Sequence, residues 1–336
     1  MNIRTALIGA GNMARHHLPL MVIAGADIRV ICEPSAENYA ATLERLTELG
    51  APAPPNEPIL AELLAKFAGE LDAVFIITPH NMHHDHAKMC LEAGLDVLLE
   101  KPMVMNAAEA ISLMETRDRT GKHLVVAFQG GLSPQIRHAA DLIASGELGE
   151  LRAVTGMVWQ GWKDITAGTW RQIPEIAGGG FLFDSGAHML NTVCTLVGEE
   201  FETVAAWLDY RGTPVDVDGV VMGRLESGAL VTLNGCGDCI PGLYNEVYVN
   251  LTGGVIRTGI YGERLLIRRE GETEYCEVGD LPRMRGAWEQ FTQVRAGEIE
   301  NPCPPEVGLR MAKLWDAIVE SAGKDGQPVH PLARTA

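Results

Sequence analysis

Basic residues are scarce in this chain. Lys and Arg number 27 against 44 Asp and Glu, a net charge of −17, and no block of cations interrupts the acidic excess. A nucleic-acid or anionic-membrane partner is thereby disfavoured, and a small neutral or modestly polar ligand fits better. Cysteine is also sparse and odd in number, seven over 336 residues. Small secreted scaffolds, in which cysteine spacing encodes disulfides, look different, and a reducing cytoplasm is the expected home. No apolar run approaches the ~18 residues of a membrane span, and the short run "TALIGAG" near the start has no cleavage signature behind it. Repeats and low-complexity linkers are absent too. What remains is 46% apolar and 21% charged residues, enough for a globular protein of two domains.

From Ile3 to about Phe128, the apolar runs "IRTALIG", "DIRVICE", "DAVFIIT", "DVLLEKP" and "HLVVAF" alternate with segments of period near 3.6. Strands apolar on both faces and linked by helices predict a parallel sheet covered on both sides, a doubly wound α/β domain over 1–128. After Phe128 the spacing predicts a helix from Pro134 to Ser145, stopped by Gly146, then a strand from Leu151. A further helix is expected after Gly178-Gly179-Gly180, carrying Asp184 and His188 one turn apart. "TVAAWLDY", "GVVMGRL", "ALVTLNG", "YNEVYVNL", "GVIRTGIYG", "RLLIRRE" and "EYCEV" follow almost without helices. They predict a large, open, mainly antiparallel sheet, so 129–336 is expected to be an α+β substrate-binding and oligomerisation domain. Helices over 284–296 and 305–322 close the chain, the last one expected to pack back on the first domain.

The first strand runs into Gly9-Ala10-Gly11-Asn12-Met13-Ala14, a G-x-G-x-x-A with a helix behind it. Gly9 permits the turn, Gly11 lets backbone approach a pyrophosphate, and Ala14 allows close helix packing. The amides at the helix start, Asn12 and Met13 among them, then face phosphate oxygens. Glu33 ends the second strand, where a carboxylate accepts from ribose hydroxyls and repels a 2′-phosphate. NAD is favoured over NADP.

Glu100-Lys101-Pro102 closes "DVLLEKP" at the carboxyl edge of the sheet, where ligands of such sheets bind. With the fingerprint at 9–14, "TPHNMHHDHAKMCLEAGLDVLLEKP", "WR" at 170–171, "GGGFLFDSGAH" at 178–188 and the β-rich second half, the chain resembles the Gfo/Idh/MocA oxidoreductases over nearly its whole length. The resemblance implies a Rossmann domain, a second domain on an open sheet, and NAD(P)-dependent hydride transfer on sugars, cyclitols or related polyols. It also implies a catalytic set of Lys101, Asp184 and His188, all three also touching substrate. Thr78, Pro79 and His83 match its nicotinamide-side turn, and Glu100 and Gln129 its cofactor contacts. Gln129, Gly131 and Asn191 depart from the residues most common there, asparagine, arginine and aspartate.

Imidazole titrates near neutrality and suits the substrate proton. Lys101 brings a cation to the reacting oxygen, while Asp184 either orients His188 or holds a neighbouring hydroxyl. Lys101 and His188 are expected to converge on one substrate. Trp162 and Trp170 are candidate sugar contacts, since indole faces stack on sugar rings, although core or interface packing explains them equally well, and Arg171 matches the family's "WR" as a cofactor or substrate contact. His80, His83, His84 and His86 lie close enough for a metal to be conceivable, but H-x-x-x-H without an intervening Glu is weak and no metal is expected. His84 and His86 are expected to face solvent. Cys236 and Cys239 have redox or zinc spacing but lack a second pair. An alternative to the dehydrogenase is a glycosidase that retains NAD and works by transient oxidation. The open sheet face predicts a homo-oligomer.

Overall fold

The computed structural model describes residues 3–331. In chain order the first half runs β1 (Arg4–Ile8), α1 (Asn12–Ile23), β2 (Asp27–Cys32), α2 (Ala36–Glu48), α3 (Leu60–Phe67), β3 (Ala73–Ile76), α4 (His83–Glu92), β4 (Asp96–Leu99), α5 (Ala107–Thr120) and β5 (Leu124–Val126). The five strands form one sheet in the order β2-β1-β3-β4-β5, every pair parallel. β3, β4 and β5 are buried at every position, as strands covered on both faces must be. The architecture is the expected doubly wound one, with every carboxyl end on one edge.

The second half begins with α6 (Gln129–Leu132) and α7 (Pro134–Ser145). The Ser133 hydroxyl caps the start of α7 and Gly146, left-handed at φ 72°, ends it. Then come β6 (Leu151–Gly161), α8 (Trp162–Ile165), α9 (Pro174–Ala177), α10 (Phe181–Asp184) and α11 (Ala187–Val197). β7 (Phe201–Asp209), β8 (Asp218–Leu225), β9 (Leu230–Cys236), β10 (Asp238–Leu251), β11 (Gly254–Thr258), β12 (Leu265–Arg269) and β13 (Cys276–Glu277) follow, and α12 (Ala287–Arg295) and α13 (Pro305–Ala322) close the chain. The eight strands form one sheet, β13-β12-β11-β10-β6-β9-β8-β7, antiparallel except for the parallel pair β6 and β9. Its alternation is strict on β8 and β9: Val221, Val231 and Leu233 are buried, while Val220, Met222 and Leu230 face outward.

The chain divides into two compact units. The first is 1–104, 108–127 and 285–306; the second is 105–107, 128–284 and 307–336. α12 and the segment after it thus belong with the first unit. Arg295 Nε donates to Asp96 Oδ2 at 2.6 Å, Asn301 Nδ2 to the Leu124 carbonyl at 2.8 Å, and the Val126 amide to the Cys303 carbonyl at 3.2 Å. These bonds fasten the returning segment beside β4 and β5.

Candidate active site

The fingerprint turn lies at the end of β1. Gly9 has φ +93°, and a Cβ there would stand 2.6 Å from the Ile77 carbonyl oxygen, so only glycine fits. Gly11 faces open space, and α1 starts without a side-chain cap. Its first-turn amides are thus left for an anion, which fits the pyrophosphate of a dinucleotide. Asn12 and Met13 are exposed beside it. Glu33, buried at the end of β2, accepts from the Ala10 amide at 2.7 Å through Oε2 and from the Ser35 amide at 2.8 Å through Oε1. It ties the turn to the second strand and retains lone pairs for ribose hydroxyls.

At the end of β4, Glu100 is buried and its two oxygens are divided. Oε1 stands 2.7 Å from His17 Nε2, and Oε2 accepts the Lys101 amide at 2.8 Å. Burial works against the Glu100 carboxylate, but the His17 hydrogen bond and charge and Lys101 outweigh it and hold its pKa below the usual value. Lys101 is thereby fixed at its backbone while its side chain remains half-exposed. His17, whose ring lies 4.9 Å from that of Phe75, was not among the sequence candidates. The sign available was its place on the buried stripe Ala14, Leu18, Met21 of α1, where an imidazole asks for a partner.

The histidine cluster separates into different roles. His83 is fully buried, with Nδ1 2.7 Å from the Pro102 carbonyl and Nε2 2.8 Å from the Thr78 carbonyl. It joins the turn after β3, where Thr78 and Pro79 are half-exposed, to the turn after β4. His80 is buried with its ring 5.8 Å from that of His83. His84 and His86 were expected to face solvent. Instead both are half-buried, His84 between Asp85 Oδ1 (2.7 Å) and Ser112 Oγ (3.1 Å), and His86 3.4 Å from Thr78 Oγ1. Among the described residues no group of three or more His, Cys, Asp or Glu is placed to hold a metal ion, and Cys236 and Cys239 are free thiols.

Burial pushes the pKa of His83 down, against the pull of the Pro102 and Thr78 carbonyls, and burial likewise lowers that of His86. The unfolded chain then binds more protons than the folded one below the unfolded histidine value of ~6.5. Stability should therefore fall as pH drops below about 6.5, where the unfolded histidines take up protons that the folded ones resist. Denaturant unfolding across this range checks it, with His83→Asn expected to have the shallower slope. Equal slopes would remove His83 from the account.

In the second unit, the triple glycine is shaped by Asp216. Its carboxylate accepts from the Gly180 amide at 2.6 Å and the Leu182 amide at 3.0 Å, and its carbonyl from the Phe181 amide at 2.8 Å. A Cβ on Gly180 would stand 1.8 Å from that carbonyl oxygen. Asp184 and His188 do not share one continuous helix, as the spacing predicted. α10 ends at Asp184, where the Gly186 amide turns back to the Phe181 carbonyl at 2.8 Å, and α11 begins at Ala187. The Ser185-Gly186 turn resets the register, so spacing alone does not describe the pair.

Asp184 is buried, and its Oδ2 accepts from Trp162 Nε1 at 2.8 Å and Arg171 Nε at 3.0 Å. Trp162 is itself buried, its indole edge-on to Phe181 at 6.0 Å. Arg171 lies over the Trp170 ring at 4.6 Å, and both are half-exposed. His188, half-exposed at the start of α11, packs beside the Phe128 ring at 5.9 Å and the Tyr261 ring at 4.7 Å between centroids. Gln129 is exposed at the start of α6. Tyr261 and Asp216 are further residues that local sequence gave no reason to single out.

A parallel unit with an open glycine turn, followed in sequence by a unit built on an eight-stranded sheet, defines a two-module dinucleotide-binding class. The chain belongs to the GFO/IDH/MocA family: residues 3–128 match the oxidoreductase family's NAD-binding Rossmann fold, and residues 136–257 match the GFO/IDH/MocA C-terminal domain. NAD is the cofactor for which the first module is built. Curated relatives include D-glucoside 3-dehydrogenase of Escherichia coli (strain K12), 27% identical over 203 residues, 58% of this chain and 54% of the relative. Inositol 2-dehydrogenase of Corynebacterium glutamicum (strain R) is 31% identical over 159 residues, 46% of this chain and 45% of the relative. The chain spans about half the length of these curated relatives. Among solved structures, levoglucosan dehydrogenase in complex with NADH and levoglucosan has a TM-score of 0.84 at 22% identity, over 99% of this chain and 100% of that one. Aldose-aldose oxidoreductase from Caulobacter crescentus, complexed with glycerol, has a TM-score of 0.83 at 19% identity, over 98% and 100%. Both share the fold. No helix among the described residues is long and apolar enough to cross a membrane.

Proposed function

We propose that this protein is an NAD-dependent dehydrogenase that oxidises a secondary alcohol of a sugar, cyclitol or related polyol. The observation that carries the reading is the Glu100–Lys101 corner: a buried carboxylate, held by His17, fixes the backbone of a half-exposed lysine on the sheet edge that also bears the glycine turn. Nicotinamide, when bound, supplies the hydride acceptor. His188 takes the hydroxyl proton in oxidation and returns it in reduction. Lys101 stabilises the developing alkoxide by its charge. Asp184, bonded to Trp162 and Arg171, holds the polar wall of the substrate site rather than acting alone on His188. Relatives named for glucosides, inositol and levoglucosan support the substrate class.

A screen of myo-inositol, methyl β-D-glucoside and levoglucosan with NAD, read by NADH absorbance, tests the reading. Net NADH with at least one of them is expected. Cleavage of the glucoside with no net NADH would replace the dehydrogenase by a glycosidase working through transient oxidation.

The chain is also expected to self-associate. Trp159, Trp207, Val220, Met222, Leu230 and Tyr244 lie on the same side of β6 to β10 and are each at least 40% exposed. A sheet face that exposes these large apolar side chains, with Thr155, Thr232, Asn234 and Arg224 among them, calls for a second copy of the chain. Light scattering at micromolar concentration should give a dimer or tetramer, and Val220→Lys with Met222→Lys should give monomers. A monomeric parent protein would refute the assignment.

A further inference from the structure

We propose that Tyr261 is a further residue of the active site, positioning the His188 imidazole with its ring and binding the polyol substrate with its phenol. The proposal rests on the dehydrogenase reading above and deepens it. The Tyr261 ring is tilted 58° to the imidazole with centroids 4.7 Å apart, while Phe128 meets it edge-on at 5.9 Å and 88°. Phe128 is buried, whereas Tyr261 is half-exposed like His188. Phe128 is closed off from solvent, so of these two rings Tyr261 is the one with surface left for a substrate.

The turn bearing Tyr261 is built to hold it still. The Ile260 amide donates to Asn245 Oδ1 at 2.7 Å, and the Ile260 carbonyl accepts the Thr192 hydroxyl of α11 at 2.7 Å. That second bond fastens the turn to the helix that carries His188. The Thr258 hydroxyl closes the loop on the Arg264 carbonyl at 2.7 Å, and the Tyr261 amide donates to Glu263 Oε2 at 3.1 Å. Gly262 has φ +74°, and a Cβ there would stand 2.0 Å from Ser133 Oγ, so the turn is seated against the start of α7. Anchorage on this scale is not needed to keep an aromatic ring on a surface. It is what a catalytic imidazole needs from a neighbour, because misplacement by about 1 Å costs roughly a hundredfold in rate.

The phenol adds chemistry that Phe128 lacks. Burial, with the charges of Glu263 and Asp184 nearby, pushes its pKa up to about 12. It remains protonated at assay pH and donates a hydrogen bond to a sugar hydroxyl or ring oxygen.

Two variants separate the ring from the hydroxyl, assayed with methyl β-D-glucoside and myo-inositol. Tyr261→Phe should keep kcat within about threefold and raise KM roughly tenfold, the cost of one substrate hydrogen bond. Tyr261→Leu should lower kcat roughly ten- to a hundredfold with NAD binding retained. Histidine ring NMR gives a readout independent of turnover: the His188 resonances, assigned by their loss in His188→Asn, should carry aromatic ring-current shifts that Tyr261→Phe keeps and Tyr261→Leu loses. A Leu variant with wild-type kcat, unchanged His188 shifts, or a Phe variant with wild-type KM overturns the proposal. Absence of wild-type turnover, with the shifts as expected, would instead count against the dehydrogenase reading.

Discussion

Lys101→Ala should lower kcat by about a hundred- to a thousandfold, some 3–4 kcal/mol of transition-state stabilisation, and leave the Kd for NAD almost unchanged. The asymmetry follows from where the lysine is held. Its amide is bound by Glu100, and Glu100 by His17, so truncating the side chain beyond Cβ leaves those backbone contacts in place. The glycine turn and Glu33 belong to other segments, β1 and the end of β2, and form their bonds without Lys101. On the proposed mechanism, what disappears is the cation that would favour alkoxide over alcohol, which matters as charge develops and little before. Stopped-flow reduction of NAD and titration of its binding measure the two quantities separately. An alanine variant that turns over at the wild-type rate would contradict the assignment. Arginine should not rescue fully, since a planar fork does not replace a compact ammonium.

The second large effect is expected at His188. Replacing it by asparagine should reduce kcat/KM by about a hundred- to ten-thousandfold, the usual range for a lost general acid or base. The wild-type pH–rate profile should contain a limb that is missing from the variant. Asn keeps the size and polarity of the position, so the ring contacts to Phe128 and Tyr261 are lost without unfolding of the buried face of α11. NAD affinity again serves as the control. Retention of both rate and pH limb in the variant would transfer the proton chemistry to another group.

Much of the fold could be read from sequence because its signals are local. The strands of the first sheet are continuous apolar runs, and α7 carries a serine cap and a glycine stop within its own segment. Catalytic candidates were readable where a motif sits on such an element, as Lys101 does at the end of β4. The supports of the site were much less so, because they come from distant segments. Trp162 and Arg171 reach Asp184 across 22 and 13 residues, and His17 reaches Glu100 across 83. No periodicity encodes those meetings. Four-residue spacing even suggested a shared helical face for Asp184 and His188, which the Ser185-Gly186 turn interrupts. His83 is intermediate: it heads the buried stripe of Ala87, Cys90 and Leu91 on α4, so its burial was written in the pattern although its two carbonyl partners were not.

The return of residues 285–306 to the first unit bears on how this protein can be dissected. A fragment ending near residue 128 would expose the flank of β5 and release Asp96 from Arg295, because the amide of Val126 and the carbonyl of Leu124 take their partners from Cys303 and Asn301. The nucleotide-binding half is thus not a contiguous cassette. It is completed only once residues 295–303 have been made, so folding of this half during synthesis must wait for that clasp.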